Sequence, residues 1–314
     1  MPSYFTILSA TLPVFLIMGI GFFFHRRGWL GEEVEVGVMK LGLNLLFPCF
    51  ILSLVPGNPA LETVSSAVWA IGLGFALVAS AIGIAWVVAT AGGIRRGEGR
   101  RTFSISAGVQ NYGFVALPIV LELFPDNEGP AGLVFVHGIG VEIAMWTVGL
   151  AVMTGKAGFR SMINGPFIAV MAALFLNYTG LYRFIPNIIA TTMEMMGRCA
   201  IPMAIFMIGA TIGRYFKTGI FHEAFRVATL SIVVRLFLGA GLILCAACFL
   251  PLPDDLKRLL VVQAAMPAAV FPIVLARLFG GQPQVAIQVV IATSIVGIVT
   301  APLVIAWGLK WVAV

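Results

Sequence analysis

Apolar stretches of about 20 residues recur along the chain, separated by short breaks that hold most of its charged side chains. A helix of about 20 residues, rising 1.5 Å per residue, crosses the roughly 30 Å hydrocarbon core of a bilayer. The pattern predicts ten spans, at about 5–24, 34–55, 64–91, 102–124, 130–154, 161–180, 187–212, 225–250, 256–279 and 284–312. Met1 to Phe5 carries no basic side chain, and no small-residue cleavage site precedes His25-Arg26-Arg27. The first segment is therefore expected to be a retained span rather than a signal peptide. The longest breaks are only about a dozen residues, which leaves no room for a soluble domain.

Composition agrees with this reading. Of 314 residues, 60% are hydrophobic and 10% charged, whereas a soluble domain carries about a quarter charged residues. The formal net charge of +6 does not point to nucleic acid, because the basic residues sit in short clusters between apolar runs and form no single face. They read instead as determinants of orientation. One side collects Arg26, Arg27, Arg95, Arg96, Arg100, Arg101, Lys156, Arg160, Arg214, Lys217, Arg226 and Arg277, the other only Arg183, Lys257, Arg258 and Lys310. The richer side is expected to face the cytoplasm, which puts both termini outside it in a multi-pass inner-membrane protein. Cys49, Cys199, Cys245 and Cys248 all lie in apolar runs and read as small packing residues. Cys245-x-x-Cys248 has no second pair or nearby His, so no metal and no cofactor are expected. Gly239 and Gly241 read as helix-packing positions.

The two halves of the chain echo each other. Pro118-Ile119-Val120-Leu121 recurs 154 residues later as Pro272-Ile273-Val274-Leu275, and Pro48 matches Pro202 at the same offset. Pro13 with Pro166, and Pro130 with Pro283, differ by 153. Shifting the first five spans by this amount lands them on the last five. A repeat with an odd number of crossings enters the membrane from the opposite side, so residues 1–155 and 156–314 are expected to form two inverted five-helix repeats, the plan of many secondary transporters.

Chemistry is expected at spans four and nine. Ser106 to Pro118 and Gln263 to Pro272 each carry helix-breaking residues near mid-span, a feature tolerated in a bilayer only where protein or a hydrated cavity surrounds the backbone. Pro118 and Pro272 fit the first turns of second half-helices. Two facing half-helix N-termini would favour an anion, with amide groups from Gln110 and Asn111 and with Tyr112 and Phe114 placed to stack on an organic body.

These residues also resemble a known family. Asn111-Tyr112-Gly113 followed by Pro118, and Ala265-Met266-Pro267 running through Pro272 to Ala276, are similar to the crossover motifs of the auxin efflux carrier family. That family includes the plant PIN-type auxin exporters and bacterial malate and malonate carriers. Asn44 to Pro48 and Ile201 to Ala204 also resemble family features, so the likeness runs along essentially the whole chain. Many bacterial relatives have a polar residue near the position of the apolar Phe271, and the long cytoplasmic loop of the large plant exporters is absent. The resemblance implies a ten-span, homodimeric carrier working by elevator-like movement. Spans 1, 2, 6 and 7 would form the scaffold, and spans 3–5 and 8–10 the moving transport domain. It implies a small organic anion bound at Gln110, Asn111, Tyr112, Pro118, Met266, Pro267, Phe271 and Pro272.

Charges inside spans are costly and are functional candidates by default. Glu194 and Arg198, four apart, are expected to pair with each other, and Lys40, the repeat mate of Glu194, to reach a membrane surface. Glu142, with His137 in the same segment, is the candidate for proton coupling. Arg235 could partner Glu142 or meet the anion directly. A sodium/proton antiporter would expect acidic residues within 106–118 or 263–272, where there are none. A non-transporting anion sensor would need an output surface that these short loops hardly supply. An enzyme would need a metal cluster, a nucleophile with its base or a phosphate loop, none of which the sequence carries.

Overall fold

The computed structural model of the chain describes residues 4–156, 163–216 and 225–314. Arg160 and Lys217, two of the basic residues expected on the cytoplasmic side, lie outside the described residues, as does the start of the span expected at 161–180. Among the described residues every regular element is helical. In chain order the α-helices are α1 (Tyr4–Arg26), α2 (Glu32–Leu41), α3 (Phe47–Leu54), α4 (Val64–Ala91), α5 (Arg100–Gly108), α6 (Ala116–Leu123), α7 (Gly129–Ala144) and α8 (Leu150–Thr154). They continue with α9 (Gly165–Thr179), α10 (Asn187–Arg198), α11 (Ala200–Tyr215), α12 (Phe225–Ile232), α13 (Ala240–Phe249), α14 (Asp254–Ala265), α15 (Phe271–Leu278) and α16 (Pro283–Val312). Short π-helical turns at Gly42–Leu46, Met145–Gly149 and Val233–Gly239 join α2 to α3, α7 to α8 and α12 to α13, so each pair is one long helix with a widened turn inside it.

Seven helical stretches of the described residues are long and apolar enough to cross a membrane: Tyr4–Arg26, Glu33–Leu54, Val64–Ala91, Gly129–Thr154, Asn187–Tyr215, Phe225–Phe249 and Pro283–Val312. The other three expected spans take a different form. Gly165–Thr179 is apolar but shorter, and the stretches expected at 102–124 and 256–279 are each two short helices around an unwound centre. Local sequence explains most ends. Thr63 and Asn164 cap α4 and α9 by accepting from Ser66 N–H and Phe167 N–H, while Gly155 and Gly180 close α8 and α9 with positive φ.

Two helix pairs are packed so closely that glycine is required on both sides. Along α1 and α11, a Cβ on Gly21 would strike the Phe206 carbonyl, and one on Gly209 would strike the Met18 carbonyl. Along α4 and α7, Gly74 sits against the His137 carbonyl and Gly140 against the Ile71 carbonyl. Hydrocarbon solvates apolar side chains as well as protein does, so helix association in a membrane depends on close van der Waals approach, which small residues permit. The glycines named from sequence behave otherwise. Gly241 meets nothing within 4 Å, and Gly239 lies against the Arg235 side chain rather than another helix.

The remaining helices assemble around these pairs. α3 packs on α9 and α10, α5 on α4, and α12 and α14 on α16. At one end of the α1–α11 pair, buried Glu35 binds His25 Nδ1 at 2.5 Å and Arg214 Nη1 at 3.3 Å, tying α2 to both helices. Phe5, Leu16, Ile20 and Phe23 of α1 and Val299, Leu303 and Trp307 of α16 are exposed, giving an outer surface suited to lipid.

Replacing Gly140 by Val forces α4 and α7 apart. Overpacking of this kind costs about 1–3 kcal/mol or more, so the variant is expected to unfold at lower temperature in detergent, whereas Gly241→Ala is expected to unfold as wild type does.

Candidate functional site

The two unwound centres meet. α5 ends at Gly108 because Val109 turns to extended backbone (φ −98°, ψ 118°), and α14 ends at Ala265 because Met266 does the same (φ −72°, ψ 139°). The freed segments then run antiparallel, with a β-bridge between Gln110 and Ala268. Asn111 N–H donates to the Pro267 carbonyl at 2.8 Å, and Ala269 N–H donates to the Val109 carbonyl at 2.9 Å. Backbone groups lost from two helices are thus satisfied by each other, which a bilayer interior demands. Pro267 has no N–H to leave unpaired, so it sits in the break without penalty.

Two further side chains hold the crossing. Gln263 Nε2 donates to the Tyr112 carbonyl at 2.8 Å. Thr293 Oγ1, from the middle of α16, accepts from Ala268 N–H at 3.1 Å while donating to its own helix at Val289 O. Gly108 passes so near Ile82 of α4 that a Cβ would lie 2.7 Å from its side chain. Beyond the breaks the chain returns to helix, with Pro118 in the third position of α6 and Pro272 in the second position of α15. The N-termini of these half-helices are partly satisfied, because Leu117 N–H bonds the Gly113 carbonyl and Ile273 N–H the Val270 carbonyl.

The side chains of this region fall into two groups. Gln110 is 1% exposed, with its Nε2 left without a hydrogen-bond partner. It stands at the bridge with Asn111, Met266 and Pro267, all buried. The second group forms around Glu142. Tyr112 hydroxyl donates to Glu142 Oε1 at 2.7 Å and Trp146 Nε1–H donates to Oε2 at 2.9 Å. Trp146 packs edge-on against Phe271 at 5.8 Å between ring centroids, and Phe114 packs on Phe47 of α3 at 5.1 Å. The Tyr112 ring lies where Gly138 leaves α7 bare. One carboxylate of α7 is thereby bonded to the break between α5 and α6 and, through Trp146, placed beside the start of α15.

Several expectations change on this geometry. Tyr112 spends its hydroxyl on Glu142, although its ring still borders the break. His137 is wholly buried with neither ring nitrogen bonded, and it does not pair with Glu142. Arg235 does not partner Glu142 either, whose oxygens are taken by Tyr112 and Trp146; the three guanidinium nitrogens of Arg235 have no partner. Arg198 does pair with Glu194, at 2.5 Å on an exposed face. Trp146, Gln263 and Thr293 were not singled out from sequence as site residues. A polar Thr293-Ser294 pair inside an otherwise apolar run was the available signal for the last.

The Ala268 N–H that Thr293 satisfies is buried, so Thr293→Val leaves a donor unpaired at a cost of about 1–3 kcal/mol. The variant is expected to unfold at lower temperature than wild type in detergent, and Thr293→Ser, which keeps the hydroxyl, to recover most of the loss.

The sequence model of a family described as membrane transport protein matches residues 6–158 and 150–305. No curated protein matches the sequence significantly. Together the two family matches take in nearly the whole chain, including both broken helices and the bridge between them. The chain belongs to the auxin efflux carrier family of membrane transport proteins, and is a multi-pass helical membrane protein.

Proposed function

We propose that this protein is a secondary active carrier of small organic anions, carboxylates foremost, with the substrate taken up where the broken helices cross. The observation that carries the reading is the pairing of the two unwound segments through Gln110 and Ala268. Irregular backbone at membrane depth marks substrate sites in transporters, and here it comes with buried amide side chains at Gln110 and Asn111.

The chain is read as ten spans in two inverted repeats. In support, α5 and α14 start 154 residues apart, at Arg100 and Asp254; so do α7 and α16, at Gly129 and Pro283. α6 and α15 start 155 apart, at Ala116 and Phe271. A scaffold of spans 1, 2, 6 and 7 accords with the packing of α1 on α11 and of α3 on α9 and α10. A moving unit of spans 3–5 and 8–10 accords with the packing of α4 on α5 and α7, and of α16 on α12 and α14. Elevator movement of that unit, a homodimeric assembly and both termini outside the cytoplasm complete the proposal.

Glu142 favours coupling to protons. Both of its oxygens accept from hydrogen-bond donors at the crossing, so adding or removing a proton there rearranges the bond to Tyr112, a neighbour of Asn111. His137 is the second candidate on the same helix. Sodium coupling would call for converging oxygen acceptors, and the partners of Glu142 are instead an O–H and an N–H.

The test is uptake of labelled mono- and dicarboxylates into proteoliposomes. Wild type is expected to move at least one of them, and Asn111→Ala to cut that flux by about tenfold or more, equivalent to about 1.4 kcal/mol, without lowering the unfolding temperature. Glu142→Gln is expected to remove the dependence of flux on a pH gradient. If wild type moves no carboxylate, or Asn111→Ala moves it at the wild-type rate, the reading is wrong.

A further inference from the structure

We propose that the guanidinium of Arg235 is the counter-charge for the carboxylate that this protein carries, an inference that rests on the transport reading for the identity of the anion. Arg235 is 0% exposed and lies in the π-helical turn Val233–Gly239 that joins α12 to α13. Its Nε, Nη1 and Nη2 are all buried without a hydrogen-bond partner. A buried charge in a folded protein is normally paired or bonded, and one within a membrane is costly and marks a functional site by default. Other arginines of the chain meet carboxylates: Arg214 pairs with Glu35, Arg198 with Glu194, Arg226 with Glu98 and Arg258 with Asp255.

Among the described residues no acid forms an ion pair with Arg235. The elements packed most closely on Val233–Gly239 are α4, α5, α12, α13, α14 and α16. Five of them contain no Asp or Glu. α14 has Asp254 and Asp255 in its first turn, where Asp255 binds Arg258 and Asn127 and Asp254 lies 3.9 Å from Lys257. Glu142, beside the crossing, is held by Tyr112 and Trp146. The fold nevertheless makes room for the cation: a Cβ on Gly239 would lie 3.1 Å from Arg235 Cζ and 3.2 Å from Nη1.

The surroundings point to an anion with hydrogen-bonding oxygens. Ser106 Oγ on α5 and Gln263 Oε1 on α14 are also buried and unpartnered, as is Gln110 Nε2 just beyond α5. These groups lie on or beside the two helices that both pack against the Arg235 turn and lead into the paired breaks. A guanidinium offers a planar fork of N–H donors that matches a carboxylate; the Ser106 hydroxyl and the Gln110 amide N–H can donate to its oxygens, and Gln263 Oε1 can accept from a donor on the body attached to it. The positive charge of the site is therefore a side chain, in addition to the partial charges at the half-helix ends.

Thermal unfolding of the full chain in detergent tests this, with HEPES as the background anion and sodium acetate, benzoate, succinate or chloride added at equal ionic strength. Wild type is expected to gain about 2–4 °C from at least one carboxylate at some ten times its dissociation constant. Arg235→Met is expected to lose that gain, and to unfold no lower than wild type before any carboxylate is added, because an unpaired buried charge has been removed. Arg235→Lys, which keeps the charge, is expected to retain part of the gain. A structural arginine predicts the reverse, with Arg235→Met unfolding lower in every buffer and keeping its carboxylate shift, and that result would overturn the proposal. So would a wild type that gains from none of the carboxylates, or one that gains from chloride alone, which would make this a halide site. Flux of the same carboxylates in proteoliposomes separates the two readings. Arg235-dependent stabilisation without flux sinks the transport reading and leaves the anion site standing. Flux unchanged in Arg235→Met does the opposite.

Discussion

The fold depends on one constraint: a peptide group inside a bilayer must find its hydrogen bond within the protein. Breaking a helix at mid-membrane frees N–H and C=O groups that water cannot reach. A single broken helix would have to recruit side chains for all of them. Here two broken segments lie antiparallel, and each supplies the other with backbone partners through Asn111, Pro267, Val109 and Ala269. Gln263 and Thr293 satisfy two groups that the pairing leaves over. The crossing is therefore a mutual dependence, in which neither break is tolerable alone. It also explains why Thr293, on a continuous helix that is not itself broken, belongs to the site.

Close packing elsewhere holds the two segments in register. The Gly74–Gly140 contact locks α4 to α7, and Gly108 brings the end of α5 onto α4. Tyr112 then fills the space beside Gly138 and reaches Glu142. A shift of α7 relative to α4 would consequently move the carboxylate and the break together. The α1–α11 pair, closed by Gly21 and Gly209, is built by the same device from different helices. Each glycine pair holds two helices in close contact, one pair within the proposed scaffold and the other within the proposed moving unit. Such a division suits one body moving against another.

Helical spans, breaks and their prolines were legible in the sequence because each depends on local chemistry. Apolar length and a missing N–H at Pro118 and Pro272 both act on the chain within a few residues. The crossing partners were partly legible through the 154-residue echo, which set one break against the other. Long-range side-chain choices were not. Nothing near Glu142 in sequence says that Tyr112, thirty residues earlier, will take one of its oxygens. Nothing near Gly239 says that it faces the guanidinium of its own helix rather than a neighbouring helix. The packing glycines were obscured because the chain has 35 glycines, and only three-dimensional proximity separates Gly140 from Gly241.

The placement of the two charges most central to the transport reading carries its own logic. Had Arg235 and Glu142 met, their attraction at low dielectric would have formed a stable internal pair, and an incoming carboxylate would have had to compete with Glu142 for the guanidinium. On the proposed function, keeping Glu142 on an O–H and an N–H leaves the cation to an external anion and the carboxylate to a proton. Separate placement also means that binding at one charge need not break a bond at the other. The two can still communicate, since Tyr112 bonds Glu142 through its hydroxyl and Gln263 through its carbonyl, and Gln263 stands on a helix packed against the Arg235 turn. A carrier that coupled anion and proton would need two sites that are distinct yet mechanically joined, and under the proposed function Tyr112, at the break, would be that join.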